Sequence, residues 1–171
     1  MLSRRALSMV LAAAAVEVWA PREAAAFPSR ELFTLGRSKN ANVVKYAVRT
    51  GRGGRLHPSE PIEAYWLMLA EDGRREELTW TERQLAYGFS ITAQSEDALT
   101  LRLTACPERE LHVRASDGAY RAELAIAKQP AFLRRIFVRT EEGFLMPKVV
   151  YVEISGSTAS GQRVSERIKP S

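Results

Sequence analysis

The stretch Leu99-Thr-Leu-Arg-Leu-Thr-Ala105 alternates strictly, with an apolar residue at every odd position and a polar residue at every even one. Side chains of a β-strand point to opposite faces in turn, so this stretch has one buried and one solvent-facing side. The same alternation recurs at 111–115 and at 120–126. It is typical of antiparallel sheets that cover a core with one face.

On either side of this stretch, further short runs of strand character are separated by turn residues such as Ser116-Asp117-Gly118 and Gln129-Pro130. Connections this short cannot contain the crossovers of parallel strands, so successive strands are expected to pair antiparallel. We therefore predict an all-β fold, an antiparallel meander of about eight or nine strands that forms a barrel or a sandwich. The predicted strands are 43–49, 62–70, 88–94, 98–106, 110–116, 119–127, 131–140, 147–155 and 162–168.

One short helix is predicted at 80–87. Thr79 and Glu82 have the spacing of a capping box, in which each side chain binds the backbone N–H of the other. Gly88 is suited to end the helix in the left-handed conformation. The two large apolar residues, Trp80 and Leu85, are expected to face the sheet.

The longest connection, 50–61, contains three glycines and two prolines and is predicted to be a structureless, mobile loop.

The first 26 residues have the layout of a secretory signal peptide. Arg4 and Arg5 precede an apolar run, and Ala24-Ala25-Ala26 supplies an A-x-A cleavage site. The apolar run of about fifteen residues is shorter than the ~20 that span a bilayer, so we predict cleavage rather than a retained anchor. General secretory export is expected, and the arginine pair leaves the twin-arginine route open.

Cleavage would leave a single β domain, 27–171, which is periplasmic or secreted. It would carry 22 basic and 18 acidic residues, a net charge of +4. Its arginines are spread along the sequence rather than clustered between aromatic residues, so no nucleic-acid partner is predicted. Cys106 is the only cysteine, which excludes an internal disulfide. We expect a monomer with no transmembrane segment after cleavage.

No recognisable metal or nucleophile motif is present in the sequence. His57 and His112 are far apart, and neither HExxH nor a cysteine pair occurs, so we predict no metal site and no cofactor. A Gly-x-Ser-x-Gly elbow is also missing. Cys106 is expected to be a partly exposed thiol, or a thiol at the rim of the barrel, at the end of a strand. The alternative is a thiolate paired with His112 across a hairpin.

The densest polar segment is Arg37-Ser-Lys-Asn-Ala-Asn-Val-Val-Lys-Tyr46. A period of two would place Asn40 and Asn42 on the same side as Tyr46. If that side faces the core, each amide needs a partner, because an unsatisfied buried polar group costs roughly 1–3 kcal/mol. Either the amides bind backbone groups at one end of the barrel, or they line a pocket for an anionic or hydroxylated ligand. The candidate ligand-binding residues are Arg37, Lys39, Asn40, Asn42, Tyr46 and Tyr87.

This segment, together with Pro61-Ile-Glu-Ala-Tyr-Trp66 and Leu85-Ala-Tyr-Gly-Phe89, resembles domain-of-unknown-function family 4833, which is found mostly in bacteria. The resemblance covers residues from about 31 to 155. It implies no established activity, and no catalytic residue follows from it.

Two functional hypotheses follow. The first is a non-enzymatic binding or structural module of the cell envelope, with a small polar or anionic ligand or an envelope protein as its partner. The second is a small hydrolase or isomerase that uses 37–46 with Tyr87, because a clustered lysine such as Lys39 or Lys45 could have a tuned pKa. A concave pocket lined by this segment would favour a ligand or an enzyme, whereas a filled interior would favour a scaffold.

Overall fold

The structure, a computed structural model, describes residues 30–142 and 148–169. The predicted signal peptide lies outside the described residues. Within them the chain is an all-β protein with one short helical segment, and this prediction is confirmed. The strands are β1 (Arg30–Arg37), β2 (Val43–Val48), β3 (Ile62–Met68), β4 (Arg74–Glu77), β5 (Phe89–Gln94), β6 (Ala98–Leu103), β7 (Cys106–Ser116), β8 (Ala119–Ile126), β9 (Gln129–Glu141), β10 (Lys148–Ser157) and β11 (Arg163–Ile168).

The strands form one mixed sheet that curls into a half-barrel. Nine of them follow the order β4-β3-β2-β1-β9-β8-β7-β6-β5, and the hairpin β10–β11 pairs with β9. Consecutive strands that pair do so antiparallel, as predicted. Among the described strands, only β1 and β9 pair in parallel. Seven strands separate these two along the chain, which is ample length for the crossover that a parallel pair needs.

Two strands were not predicted from the sequence. In β1 the adjacent residues Leu32 and Phe33 are both buried, which breaks the period of two. The register between β1 and β2 shifts at this point, and a bulge of this kind allows neighbouring side chains to turn to the same face. β4 contains only charged residues and lies at the edge of the sheet. Charges on an edge strand discourage pairing with other chains.

The core lies on the concave side of the half-barrel. Leu99, Leu101 and Leu103 are buried, whereas Arg102 is exposed, as the alternation predicted. Among the described residues, Tyr46 has the largest fully buried side chain. Its ring stacks on Phe33 with the centroids 4.5 Å apart, and its hydroxyl donates a hydrogen bond of 2.8 Å to the Tyr87 carbonyl oxygen. Tyr46 therefore joins the centre of the sheet to the end of the helical segment.

The helical segment begins with the predicted capping box. The Thr79 hydroxyl accepts a hydrogen bond from the Glu82 N–H, and the Glu82 carboxylate accepts one from the Thr79 N–H. Helix α1 (Trp80–Glu82) then continues as a wider π-helical turn, Arg83–Tyr87.

The prediction that Trp80 and Leu85 face the sheet is wrong, because their side chains are 75% and 76% exposed. The π turn contains an extra residue relative to an α turn and shifts the inward position to Tyr87, which is buried. Gly88 is extended rather than left-handed, with φ −75°. Glycine is required there for space, since a Cβ would lie 2.0 Å from the Arg83 carbonyl oxygen.

The segment 50–61 is not structureless. It contains a 3₁₀ turn, Arg52–Gly54, and an isolated bridge between Thr50 and Leu56. Leu56 is buried in the core, which fixes the segment against the sheet.

Candidate functional site

A cleft of about 480 Å³ opens between the C-terminal end of β1, the hairpin β10–β11, the π-helical turn and the turn between β6 and β7. We call it the Arg37 cleft, because Arg37 is the one basic side chain among the described residues that line it. Its volume lies in the range of pockets that hold small molecules, roughly 300–1,000 Å³.

The walls of the Arg37 cleft are apolar. They include Leu35 of β1, Val138 of β9, Val152 of β10 and Ile168 of β11. Each side chain takes an inward position on its strand, so the cleft continues the apolar interior of the sheet. Two large apolar side chains at the cleft, Leu85 and Val149, are exposed by 76% and 37%. An apolar ligand would remove these surfaces from water.

Arg37 brings a positive charge to this apolar cleft. It is the last residue of β1 and is exposed, and it forms no ion pair with any carboxylate in the described part of the chain. The positive charge of Arg37 affects the pKa values of two neighbouring residues, Tyr87 and Glu82. Burial raises the pKa of Tyr87, and Arg37 opposes this rise. Burial also acts to raise the pKa of Glu82, but hydrogen bonds from Thr79 and Trp66, together with the charge of Arg37, lower it.

Cys106 lines the same cleft and stands at a strand end, as predicted, but it is buried, so the prediction of a partly exposed thiol is wrong. The tight turn after Leu103 makes Cys106 the first residue of β7. Its Sγ donates a hydrogen bond of 2.9 Å to Glu108. Burial and the Glu108 carboxylate raise the pKa of Cys106 to about 12, so the thiol stays protonated near neutral pH and is a poor nucleophile.

The alternative of a thiolate paired with His112 is not what the structure contains. The Nδ1 atom of His112 lies 3.1 Å from the Thr100 hydroxyl, its cross-strand neighbour on β6.

Of the six candidate ligand-binding residues, the cleft brings together two, Arg37 and Tyr87. Tyr46 lies beneath Tyr87 in the core and does not line the cleft. Burial raises the pKa of Tyr46, so its phenol remains protonated.

Asn40 and Asn42 precede β2, which begins at Val43, so the period of two does not extend to them. The Asn40 Oδ1 atom accepts a hydrogen bond of 2.9 Å from the Asn42 N–H, in the manner of an Asx turn. The Asn42 Oδ1 atom accepts one of 3.1 Å from the Ala70 N–H, across the next turn. Both amides thus bind backbone groups. This agrees with the interpretation that they satisfy the backbone rather than line a ligand pocket.

The two lysines form ion pairs on the surface. Lys39 contacts Glu142 at 2.7 Å, and Lys45 pairs with Glu31. Neither lysine lines the Arg37 cleft. For Lys39, Asn40, Asn42 and Tyr46, a role in ligand binding stays a prediction.

Within the described residues, no group of three His, Cys, Asp or Glu side chains is placed to hold a metal ion. No helix in this part of the chain is long and apolar enough to cross a membrane.

A sequence profile described as "Domain of unknown function (DUF4833)" matches residues 33–167, most of the chain. The chain belongs to the DUF4833 family. No curated protein and no solved structure matches it. All the cleft residues named above lie in the matched part of this DUF4833 domain, except Ile168 on β11.

An ion pair between Glu166 and Arg109 holds β11 against β7. It thereby also positions Ile168 of β11 in the wall of the cleft. Glu166 of β11 accepts hydrogen bonds of 3.0 and 2.8 Å from both terminal nitrogens of Arg109 on β7, and a third of 2.9 Å from the Ala127 N–H. The bonds from Arg109, and then that from Ala127, lower the pKa of Glu166 from its ordinary value near 4.5 to about 2.

A group whose pKa is lower in the folded state stabilises the fold above its unfolded pKa, and this contribution is lost as the pH falls through its folded pKa. We therefore expect Glu166→Gln to lower the melting temperature at pH 6, and the difference from wild type to shrink between about pH 4.5 and 2. Melts across this range measure it, with Glu153→Gln on the same hairpin as the control. An equal difference at pH 6 and pH 2 would contradict the assignment.

Proposed function

We propose that this DUF4833 domain is a non-enzymatic binding module of the cell envelope that takes an anionic amphiphile into the Arg37 cleft. The observation that carries the proposal is the position of Arg37, a cation without a described ion-pair partner beside apolar walls.

The two parts of the cleft favour the two parts of such a ligand. The apolar walls favour a hydrocarbon chain, since burial of apolar surface contributes roughly 25 cal/mol per Å². The guanidinium of Arg37 matches a carboxylate or a phosphate group in a bidentate arrangement. The cleft also contains the carboxylate of Glu108, but the Cys106 thiol already donates to it. Arg37 is therefore the group left to bind an ionic headgroup.

The protonation of the cleft residues supports binding over the hydrolase or isomerase alternative. A general base or nucleophile works best with a pKa near the operating pH. Burial raises the pKa values of Tyr87 and Cys106, which moves both away from neutrality. The lysines of 37–46, which the enzyme alternative would use, lie outside the cleft in ion pairs with Glu142 and Glu31.

The envelope location in this proposal rests on the sequence of residues 1–26. Arg4 and Arg5, the apolar run and the small residues before Phe27 have the pattern of a secretory signal peptide, which supports export. A domain without disulfides is compatible with export when its core is sufficient, and this chain buries a continuous apolar core.

Titration of the exported protein with a fluorescent long-chain fatty acid tests the proposal. We expect Arg37→Ala to weaken binding by about 10- to 100-fold, since a hydrogen bond to a charged group contributes about 1.5–3 kcal/mol. Arg37→Lys should retain part of the affinity. Arg52→Ala, which removes an exposed arginine outside the cleft, is the matched control. Equal affinities of Arg37→Ala and Arg52→Ala, or equal binding of the uncharged fatty alcohol, would contradict the proposal.

A further inference from the structure

The outer side of β9, β10 and β11 carries a second concentration of positive charge. On β9, Ile136 points into the core, so Arg135, Phe137 and Arg139 point outward. On β11, Ile168 lines the cleft, so the alternate positions Arg163 and Arg167 point outward. These cations are far apart in the sequence, and the pairing of β9, β10 and β11 brings them onto one surface.

We call this surface the basic face and define it by five cations, Arg135, Arg139, Lys148, Arg163 and Arg167. Two carboxylates share it. Glu141 lies opposite Lys148 in the β9–β10 register, and Glu153 binds Arg167 at 2.7 Å. Arg135, Arg139 and Arg163 are exposed and pair with no described carboxylate. A net positive charge is therefore presented to solvent on the outside of the half-barrel.

Two aromatic rings hold guanidinium groups on this face. The guanidinium of Arg135 lies 4.9 Å from the ring centroid of Phe137, and that of Arg167 lies 4.7 Å from the centroid of Tyr151. Cation–π contacts of this kind order a long side chain near the surface. Each ring has one side covered by an arginine, so the rings are poorly suited to stacking with nucleic-acid bases, which use open aromatic faces.

The basic face is broad rather than grooved. Arg163 lies at the level of Phe132 of β9, and Lys148 lies opposite Glu141. Neighbouring strands are about 4.8 Å apart and residues advance about 3.4 Å along each strand, so the five cations spread over roughly 10 by 30 Å. None of five well-formed clefts of the described chain is lined by Arg135, Arg139 or Arg163. A linear polymer is best held in a groove, whereas a planar array of cations meets a planar array of anions.

We propose that the basic face docks this protein on a membrane surface of anionic phospholipid headgroups. Guanidinium groups bind phosphate oxygens through their planar fork of donors, and each cation near an anionic bilayer adds to the attraction. This docking is separate from the Arg37 cleft, which lies on the concave side, and it goes beyond the proposed ligand binding.

Sedimentation with vesicles tests this proposal. The exported protein is mixed with vesicles of phosphatidylglycerol and phosphatidylcholine, or of phosphatidylcholine alone. We expect binding only to the anionic vesicles, and a loss of affinity of roughly fivefold for each arginine removed from the surface. Arg135→Glu/Arg139→Glu should therefore lose at least about 25-fold. The control Arg52→Glu/Lys128→Glu changes the net charge equally at exposed positions outside the face and should lose less than about fivefold.

Two further variants distinguish membrane docking from ligand binding in the Arg37 cleft and from a folding defect. Arg37→Ala should bind anionic vesicles like wild type, so a failure of the cleft proposal leaves this one testable. Arg135→Lys/Arg139→Lys keeps the charge and should retain most of the binding, which guards against a folding defect in the reversed variant. Equal losses of vesicle affinity in Arg135→Glu/Arg139→Glu and in the control Arg52→Glu/Lys128→Glu would overturn the proposal. So would binding to uncharged vesicles, or retention on single-stranded DNA without vesicle binding.

Discussion

Replacing Tyr46 with alanine is expected to lower the free energy of unfolding by about 3–5 kcal/mol, the range seen when a buried aromatic side chain is removed from a core. Tyr46 has no exposed surface, stacks on Phe33, and meets the ring of Phe89 edge-on at 6.5 Å. The substitution leaves a cavity under the sheet and also leaves the Tyr87 carbonyl without its hydroxyl donor.

Urea denaturation of Tyr46→Ala measures this loss, and two other variants divide it into parts. Tyr46→Phe keeps the ring but removes the hydrogen bond to Tyr87, and should cost roughly 1–3 kcal/mol. Tyr65→Ala removes a half-buried tyrosine that packs against Arg75, and should cost less than Tyr46→Ala. A loss at Tyr46 no larger than that at Tyr65 would show that Tyr46 does not hold the core in this way.

Gly156→Ala is expected to destabilise the sheet by at least about 2 kcal/mol, within the range for overpacked cores. A Cβ at Gly156 would lie 2.1 Å from the Phe132 carbonyl oxygen and 3.0 Å from the Ile126 Cδ1 atom. The carbonyl belongs to the β9 backbone and cannot move away as a flexible side chain could. β10 would have to separate from β9, which displaces the Val152 wall of the Arg37 cleft.

Thermal melts compare Gly156→Ala with Gly51→Ala. Gly51 has an ordinary negative φ, and a methyl group added there would meet no atom within 4 Å, so its replacement should leave the melting temperature nearly unchanged. A melting temperature for Gly156→Ala equal to that of wild type would mean that β9 and β10 do not approach this closely.

The parts of the fold that depend on local sequence could be predicted. The alternation around Leu101 indicated a half-buried strand, and the spacing of Thr79 and Glu82 indicated the start of a helix. The parallel pairing of β1 with β9 depends on contacts between residues about a hundred positions apart, such as Leu35 and Ile136. The alternation of apolar and polar residues within β1 or β9 does not indicate which strand it pairs with.

The candidate site could be predicted only in its polar part. Arg37 and Tyr87 drew attention as a charge and an aromatic residue, and both line the cleft. The residues that sequence reasoning missed, such as Val138 and Val152, are apolar positions of alternating strands. The sequence pattern does not distinguish an apolar side chain that lines a cleft from one that fills a core. The exposed Leu85 is the exception, but recognising it requires the π turn, which the sequence pattern did not predict.

Native mass spectrometry of the protein purified from cells tests the central claim most directly, namely that the Arg37 cleft holds an anionic amphiphile. We expect wild-type protein purified under native conditions to carry a bound molecule that has an apolar chain and a carboxylate or phosphate group. The folded Arg37→Ala variant, purified from the same cells in the same way, should not carry this bound molecule. An anionic amphiphile retained equally by both proteins, or a wild-type protein that neither carries one nor takes one up when it is supplied, would contradict the account.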